Sequence, residues 1–275
     1  MPTALVTGAG RGIGEAITLR LAAAGWTVHA SVRDLEAGER LAAKNPLIKP
    51  LELDITNADH VAALNDQLPD HLDGVVNNAG IAVLGPVETV ALDDWRHQFE
   101  VNVFGQVAVT QAVLPRIRAS HGRIVFISST GGRTATTMEG AYSASKFAIE
   151  GLADVLRIEL RPWKIPVSVI EPGPTATTAW RDLPAMLDAM EAKMTANHRS
   201  LYALHLAGMR KVVAMLQPRT VDPDVVAKSV QRALTSRHPR ARYTPEPQAA
   251  AMVAMGKFLP TRVGDAMAAR IGGWR

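Results

Sequence analysis

The chain has 275 residues and no cysteine. Disulfide bonds, thiolate nucleophiles and cysteine-ligated metals are therefore excluded. Long apolar runs are also missing, because charge, Gly or Pro interrupts every stretch before it reaches the ~18 residues of a membrane-spanning helix. The first residues, Met1-Pro2-Thr3, lead straight into a short apolar run with no signal-peptide pattern. We expect a cytoplasmic protein without a membrane span.

Charge of one sign is not concentrated anywhere. The pI is near 9.6, but the net charge is only +4. Basic residues are spread along the chain, and the cluster at 237–242 is small, so no nucleic-acid partner is expected. The histidines lack ligand-like spacing, and no metal site is expected. A hydrophobic content of 47% and a charged content of 20% are typical of a globular protein.

Short Val/Ile/Leu-rich runs alternate with segments of helical spacing. The runs are uniformly apolar, which suits strands buried on both faces of a sheet. They are Ala4–Thr7, Thr27–Val32, Leu51–Leu53, Gly74–Asn77, Arg123–Ser128, Val167–Ile170 and a final Arg242–Thr244. The helical segments are Ile13–Ala24, Trp95–Arg118, Tyr142–Arg161 and Pro223–Ala233. The alternation predicts an α/β fold, a single Rossmann-type domain over residues 1–275 with a doubly wound parallel sheet and helices on both faces.

The alternation stops after Pro172-Gly173. Residues 178–221 are rich in Met, Ala and Leu, with Pro184 and Pro218 as interruptions, and predict one or two mobile helices. An insertion after a carboxyl-terminal strand end is where an open α/β sheet carries a substrate lid. The alternative is a helix pair that only packs on the core.

The first apolar run is followed by a glycine turn. Gly8, Gly12 and Gly14 come between Thr7 and an apolar-periodic helix. Glycine permits left-handed backbone angles and lets a pyrophosphate approach amide N–H groups at a helix amino terminus. This turn predicts dinucleotide binding, although its spacing differs from the common G-x-G-x-x-G pattern.

Further motifs follow in order along the chain. The sequence TGxxxGxG is matched from Thr7 to Gly14, and LELDIT, NNAG, VNVFG, ISST, YSASK and EPGPTATT come after it. Together they resemble the short-chain dehydrogenase/reductase family over about residues 3–178, with weaker similarity in TVDPDVVAKSV and PRARY. The insertion, SVRD and LRIEL are similar to its steroid- and retinol-dehydrogenase branch. The resemblance implies an oxidoreductase that uses a nicotinamide cofactor.

The resemblance also assigns residues to the cofactor. They are Gly8, Arg11, Gly12, Ile13, Gly14, Arg33, Asp54, Ile55, Asn78, Ala79, Gly80, Tyr142, Lys146, Pro172, Gly173, Thr175 and Thr177.

Tyr142 and Lys146 stand four residues apart, so a helix places them on one face. A nearby ammonium and an oxidised nicotinamide would lower the pKa of the tyrosine and let it act as an acid/base. The resemblance makes Ser129 the donor to the substrate carbonyl, although Ser128 and Thr130 offer the same chemistry. It makes Asn102 the residue that positions a water for proton relay.

Cofactor choice depends on two adjacent residues after the second strand. Asp34 has the spacing of a ribose-binding acid, which would favour NAD. The family's ribose-reading position falls on Val32, however, and Arg33 follows it. A guanidinium there, with Arg11 in the glycine turn, would grip a phosphate. We therefore expect NADP(H) rather than NAD(H), the alternative being that Arg33 only pairs with a surface carboxylate.

The expected reaction interconverts an alcohol and a ketone or aldehyde. The apolar insertion favours a bulky substrate of steroid, retinoid or long-chain type. Apolar residues on the Trp95–Arg118 and Tyr142–Arg161 helices favour a homodimer or homotetramer. Two alternatives are a catalytically silent nucleotide-sensing scaffold of the same fold, and a lyase or epimerase that uses the cofactor transiently.

Overall fold

Seven parallel strands form one sheet in the computed structural model, which describes residues 1–273. The strands are β1 (Thr3–Val6), β2 (Thr27–Val32), β3 (Ile48–Glu52), β4 (Gly74–Asn77), β5 (Arg123–Ile127), β6 (Val167–Ile170) and β7 (Arg242–Tyr243). Their order is β3-β2-β1-β4-β5-β6-β7, and every pair is parallel. The Rossmann-type sheet predicted from the sequence is confirmed.

Thirteen α-helices lie among residues 1–273. Those of the sheet layers are α1 (Gly12–Ala23), α2 (Leu35–Ala42), α3 (Ala58–Gln67), α4 (Leu92–Phe99), α5 (Gln106–Ser120), α6 (Gly140–Glu159) and α11 (Pro223–Thr235). The others are α7 (Thr178–Arg181), α8 (Leu183–Lys193), α9 (Ala196–Leu201), α10 (Ala203–Leu216), α12 (Pro247–Phe258) and α13 (Thr261–Gly272).

Helices cover both faces of the sheet. On one face, α1, α2 and α11 bury residues such as Ile17, Leu41 and Val226 against β1 and β2. On the other, α3, α5 and α6 bury residues such as Val113 and Ile149 against β4 and β5. Because both faces are covered, β1, β4 and β6 are buried along their whole length.

Strand β3 starts three residues before the predicted Leu51. It contains Pro50, which a central strand would not tolerate because proline cannot donate to the hydrogen-bond ladder. The strand lies at the edge of the sheet, where only β2 pairs with it. Its exposed side therefore needs no donor at that position.

The predicted helix Trp95–Arg118 is longer and less regular than expected. It begins with α4 at Leu92, passes through a π-helical segment at Glu100–Gly105, and ends with α5 at Ser120. At Gly105 an added Cβ would lie 2.8 Å from Cγ1 of Ile55. The absence of a side chain lets the π-helical segment pack directly on the loop after β3.

The insertion, residues 178–221, is more structured than the one or two predicted helices. It contains α7 to α10 and a short 3-10 turn at Gln217–Arg219. Its apolar residues form their own cluster, which includes Leu187, Leu206 and Met209. The same cluster contains Leu84, from the loop after β4, and Met138, from the segment just before α6. Both expected outcomes, a lid and a packed helical layer, are compatible with this arrangement.

Two helices near the carboxyl terminus, α12 and α13, were not predicted from the sequence. Helix α12 begins directly after Glu246, and its Ala249 is buried. Among residues 1–273 no helix has both the length and the apolarity needed to cross a membrane.

Candidate active site

The candidate site residues follow the carboxyl ends of the central strands. In the strand order, the chain moves outward in opposite directions from β1 and β4, which are neighbours. At such a switch point the loops after the strands separate and leave a crevice for a ligand. The loops after β1, β4, β5 and β6 carry the predicted motifs to this edge.

The glycine turn after β1 adopts the backbone that the motif requires. Gly8 and Gly12 have positive φ values of 64° and 60°. An added Cβ would lie 2.9 Å from Cα of Ala79 at Gly8, and 2.6 Å from Nδ2 of Asn78 at Gly14. Side chains are therefore excluded here by both angle and space.

The amino terminus of α1 has the properties of an anion site. Arg11 occupies the N-cap position, and its side chain makes no capping bond, whereas Asp34 and Asn57 cap α2 and α3. The first N–H groups of α1 and its dipole therefore point to open space beside Ile13. This uncapped glycine turn fits the pyrophosphate of a dinucleotide.

Asn78 ties the glycine turn to β4. Its Nδ2 donates to the carbonyl oxygens of Thr7 at 2.9 Å and Gly8 at 3.1 Å. The backbone N–H groups of Asn78 and Ala79 both donate to Thr7 Oγ1, at 2.9 and 3.0 Å. Asn78 thus positions the turn, and Thr7 is a structural partner that the sequence prediction did not include. Gly80 follows Ala79 in the chain. A Cβ added to Gly80 would lie 3.3 Å from Asn102 Oδ1.

The loops after β2 and β3 bring Arg33 close to Asp54. Burial acts to raise the pKa of Asp54, but hydrogen bonds from Thr56 and then the charge of Arg33 outweigh it and lower that pKa. Thr56 donates to Asp54 Oδ1 from its N–H at 2.9 Å and its hydroxyl at 2.7 Å. Ile55 is buried beside them.

Arg33 is exposed and forms no ion pair within residues 1–273. The neighbouring Asp34 caps α2, because its Oδ1 accepts the N–H of Glu36 at 3.0 Å. The pairing of Arg33 with a surface carboxylate, which the sequence left open, is not observed in this part of the chain. The carboxylate of Asp34 is thus engaged in capping α2. The exposed guanidinium of Arg33 can bind an anion.

Ser129 and Tyr142 meet at the end of β5. A Cβ added to Gly131 would lie 3.4 Å from Ser129 Oγ and 3.3 Å from Tyr142 Cε1, so the two side chains border the same glycine, and Ser129 Oγ accepts the N–H of Gly131 at 3.0 Å. Ser128, one of the sequence alternatives, is buried, and its hydroxyl has no partner. The geometry therefore selects Ser129 as the hydroxyl that faces Tyr142.

Lys146 lies one turn of α6 beyond Tyr142 and is 4% exposed. Its Nζ donates to the carbonyl oxygen of Ile127 at 2.9 Å and stands 5.7 Å from the centroid of the Tyr142 ring. Burial lowers the pKa of Lys146 to about 8, against the opposing charge of Glu150. The predicted common face of the two side chains is confirmed.

The pKa of Tyr142 differs from the expectation. Burial raises it to about 12, the hydrogen bond with Ser129 acts in the opposite direction, and the charge of Glu139 raises it further. Lys146 does not lower this pKa in the structure, because its ammonium is bonded to Ile127 and not to the phenol. The protein alone therefore keeps Tyr142 protonated at neutral pH.

Asn102 lies in the π-helical segment and is fully buried. Its Oδ1 accepts the N–H of Ile81 at 2.8 Å, and its Nδ2 donates to Ile81 O at 3.0 Å and to Ser145 Oγ at 3.1 Å. Ser145 in turn donates to the carbonyl oxygen of Tyr142 at 2.7 Å. The amide thus joins the loop after β4 to the helix that carries Tyr142.

The loop after β6 closes the site and is held by the carboxyl-terminal part of the chain. Gly173 N–H donates to Glu246 Oε2 at 3.2 Å, and Thr175 Oγ1 donates to Gly173 O at 3.0 Å. Pro172 O accepts the N–H of Thr130 at 2.9 Å. Thr177 caps α7 and borders a cavity of about 730 Å³ that also includes Gly12.

Two carboxylates near the site were missed at the sequence level, Glu139 and Glu246. Glu139 stands three residues before Tyr142, and burial raises its pKa to about 7. The only sequence signal was an acidic residue just before YSASK, a position that family motifs leave open. Glu246 gave no signal, because its partner Gly173 is 73 residues away.

The fold and this edge define the class of Rossmann-type, nucleotide-dependent oxidoreductases. Residues 2–188 match the family model described as short chain dehydrogenase. The chain belongs to the short-chain dehydrogenase family, which uses NAD(P), and to its retinol- and steroid-dehydrogenase-like branch.

Relatives match nearly the whole chain. Retinol dehydrogenase 5 of Mus musculus is 33% identical over 279 aligned residues, covering 95% of this chain and 86% of its own. The NADPH-dependent 3-dehydrocapnine reductase of Ornithobacterium rhinotracheale is 33% identical, covering 96% and 95%. A short chain dehydrogenase from Burkholderia cenocepacia, solved in complex with NADP, is 25% identical with a TM-score of 0.77 and covers 97% of both chains.

Proposed function

We propose that this chain is an NADP(H)-dependent oxidoreductase that interconverts an alcohol and a ketone or aldehyde, with Tyr142 as the acid/base. The observation that carries the proposal is that Ser129 and Tyr142 both border Gly131 at the end of β5, with Lys146 Nζ 5.7 Å from the centroid of the Tyr142 ring and one turn further along α6. No comparable observation favours the scaffold or the lyase alternative.

Each side chain has a distinct part in this reaction. A bound nicotinamide supplies or accepts the hydride. Tyr142, protonated at neutral pH, donates its proton to the oxygen of a carbonyl, and Ser129 holds that oxygen by a second hydrogen bond. Lys146 places a positive charge behind the phenol when the phenolate forms. Asn102 joins the loop after β4 to α6 through its hydrogen bonds with Ile81 and Ser145.

Arg33 and Arg11 support the choice of NADP(H). Both are exposed beside the glycine turn, and Asp34 is engaged in capping α2. A guanidinium forms paired, charge-assisted hydrogen bonds with a phosphate, whereas a free carboxylate at this place would repel it. A relative named as NADPH-dependent and a structure solved with NADP agree with this assignment.

The insertion supports a bulky apolar substrate. Its cluster includes Leu84 and Met138, the second of which lies four residues before Tyr142, and Trp180, Met186 and Met190 pack against the same cluster. Flexible methionine side chains adapt to extended apolar ligands. The similarity to a retinol dehydrogenase points to the same substrate class.

Replacement of Tyr142 by phenylalanine tests the mechanism. The chain has three tyrosines, so Tyr243→Phe, on β7, serves as a matched control. We expect Tyr142→Phe to reduce turnover of an accepted carbonyl by at least about a hundredfold, the scale of a lost general acid. Its NADPH affinity should change little. Steady-state rates on a panel of ketones and aldehydes, together with cofactor titration, measure both.

Equal turnover by Tyr142→Phe and by the control would refute the acid/base role. Tight NADPH binding with no turnover of any compound in the panel would instead support a silent nucleotide-sensing scaffold.

A further inference from the structure

Glu246 is buried against the loop after β6, which carries the predicted cofactor residues Pro172 and Gly173. Its Oε2 accepts the N–H of Gly173 at 3.2 Å. A Cβ added to Gly173 would lie 3.2 Å from Cβ of Ala249 on α12 and 3.7 Å from the same Oε2. Glu246 and the first turn of α12 therefore lie directly against the backbone of this loop and leave little room for a side chain.

The backbone at Glu246 is held on both sides. Pro245 and Pro247 flank the residue. A residue before proline is largely confined to extended backbone, and Glu246 is extended in the structure. Just upstream, the N–H of Glu171 donates to Tyr243 O at 2.8 Å and ties this segment to β6. The carboxylate is thus mounted on a stiff stretch of chain beside the loop.

Helix capping does not account for this carboxylate. Glu246 occupies the N-cap position of α12, but its side chain makes no capping bond. Its Oε1 is buried and has no hydrogen-bond partner within residues 1–273. A carboxyl group that is 6% exposed, with one oxygen unbonded, costs free energy relative to an apolar side chain. Its bond to the N–H of Gly173 is what an apolar side chain could not supply.

Helix α12 also contacts the loop after β5, which carries Ser129. Thr134 Oγ1 donates to Met252 O at 3.4 Å. A Cβ added to Gly256 would lie 3.1 Å from Arg133 O. The same helix therefore packs against the loop of the substrate hydroxyl and against the loop of the cofactor residues.

The strand order separates the two halves of a bound dinucleotide. In the proposed function, Arg33 binds the adenosine phosphate after β2, on one side of β1. Hydride transfer takes place beside Ser129 and Tyr142, after β5, so the nicotinamide half belongs on the other side, next to β6 and its loop. Glu246 therefore contacts the loop that serves one half of the cofactor.

We propose that Glu246 is a positioning residue for the nicotinamide half of the cofactor and acts through the backbone of Gly173. This inference rests on the proposed function, in which Pro172 and Gly173 belong to the cofactor site. Because the bond is made to a main-chain N–H, it fixes the path of the loop without contact between Glu246 and the cofactor. Loss of this acceptor should weaken binding of the nicotinamide half and leave the adenosine half unaffected.

Two probes separate the halves of the cofactor: NADPH, and adenosine 2′,5′-bisphosphate, which lacks the nicotinamide half. Each probe is titrated by calorimetry into the wild type and its variants. Glu246→Ala removes the acceptor, and Glu246→Gln keeps an oxygen of the same reach. Asp73→Ala is the matched control, because Asp73 Oδ2 accepts the N–H of Thr3 at 2.7 Å at the amino end of β1, away from the site.

We expect Glu246→Ala to bind NADPH about tenfold more weakly than the wild type does, the low end for a lost hydrogen bond to a charged group. Its affinity for the bisphosphate should not change. Glu246→Gln and Asp73→Ala should keep both affinities near those of the wild type. Unchanged NADPH affinity in Glu246→Ala, an equal loss for both probes, or a loss in Glu246→Gln as large as in Glu246→Ala overturns the inference.

If Glu246→Ala does not fold, Glu246→Asp, which draws the carboxylate back by one methylene, takes its place with the same expected result. If NADH is the cofactor, NADH and AMP replace the two probes, so the choice of cofactor does not affect the test. Absence of turnover in the wild type counts against the proposed reaction and leaves the two affinities as the measure of this inference. A wild type that binds neither cofactor refutes both.

Discussion

Arg33 and Asp34 are adjacent residues with opposite charges, and Asp34 is the one whose side chain caps a helix. Asp34 satisfies an N–H group of α2 through its hydrogen bond to Glu36. Sequence spacing alone makes Asp34 look like the ribose ligand, whereas in the structure its carboxylate caps α2. The local backbone needs an N-cap at that position, and this requirement decides what the carboxylate binds.

Replacing Arg33 tests cofactor choice. We expect Arg33→Ala to weaken NADPH binding about tenfold, since an exposed charge-assisted contact with the phosphate is lost. NADH affinity should hardly change, and the preference for NADPH should shrink at high salt because the contact is exposed. Fluorescence titration of both cofactors measures this, with Arg40→Ala, on the outer part of α2, as the control. If NADH binds the wild type as tightly as NADPH does, the assignment to NADP(H) is wrong.

The candidate site was predictable where a motif and a strand end coincide. Gly8, Ser129 and Gly173 come directly after buried strands, so the parallel sheet itself brings them to one edge. Glu246 could not be predicted, because its partner Gly173 is 73 residues away in the sequence. Their contact depends on the pairing of β6 with β7 and on the packing of Ala249, which only folding brings about.

Among the elements, β6, β7 and α6 are joined by a buried network of charges. Arg242 Nε donates to Glu150 Oε2 at 2.9 Å, and its Nη2 donates to Asp154 at 2.8 Å. Glu171, at the end of β6, lies 3.5 Å from the same guanidinium. Glu150 and Glu171 are 5% and 1% exposed, and both are paired with Arg242 and, at 3.8 and 3.7 Å, with Arg133. The network lies behind Lys146, one turn further along α6.

Removal of Arg242 should destabilise the protein strongly. We expect Arg242→Ala to lower the free energy of unfolding by about 3 kcal/mol, because Glu150 loses the cation that is hydrogen-bonded to it and Glu171 keeps only Arg133 as a counter-charge. Arg157→Ala should cost less than about 1 kcal/mol, since its ion pair with Asp154 is partly exposed. Urea unfolding of both variants measures the difference. Similar losses in the two variants would show that the buried network is not held by Arg242.

The loss in Arg242→Ala should also depend on pH. Burial already raises the pKa of Glu171, and without the positive charge of Arg242 the folded-state pKa of Glu171 rises further. Carboxylates with raised folded-state pKa values stabilise the folded state at low pH and lose that contribution as pH increases. The difference from wild type therefore grows between about pH 5 and about pH 8.

The regular elements were predictable, and the irregular ones were not. Buried strands and amphipathic helices have periodic apolar residues, so all seven strands were found within a few residues of their bounds. The π-helical segment depends on Ile55 and Ile81, which are distant in sequence from Asn102. Helix α12 carries apolar residues on all of its own faces, so its sequence has no clear helical period. Gly256 and Pro260 further interrupt the helical pattern of the segment that contains α12 and α13.

At the scale of the whole molecule, one face of α6 has no partner within residues 1–273. Phe147, Val155 and Ile158 are 47%, 52% and 71% exposed and follow helical spacing, with Gly151 between them. Phe104 in the π-helical segment is 56% exposed. Such an apolar stripe on one surface helix suits a self-complementary interface between two copies.

We therefore expect a homodimer or homotetramer in solution, and Ile158→Glu should convert it to a smaller species by placing a charge in the interface. Leu204→Glu on α10, where the leucine is 63% exposed, serves as the control and should leave the mass unchanged. Light scattering at micromolar concentration gives the masses. A monomeric wild type would contradict the expected assembly.

The insertion has an apolar cluster separate from the two that cover the sheet. The insertion contacts the rest of the chain through Leu84 and Met138, through α13, which lies against α10, and through Glu88, which accepts a hydrogen bond from Tyr202. The insertion also borders the glycine turn, because Arg181 and Thr220 line the cavity that includes Gly12. For protein engineering, a library confined to the buried residues of the insertion cluster would therefore test its part in substrate choice, provided that the residues next to Gly12 are kept unchanged.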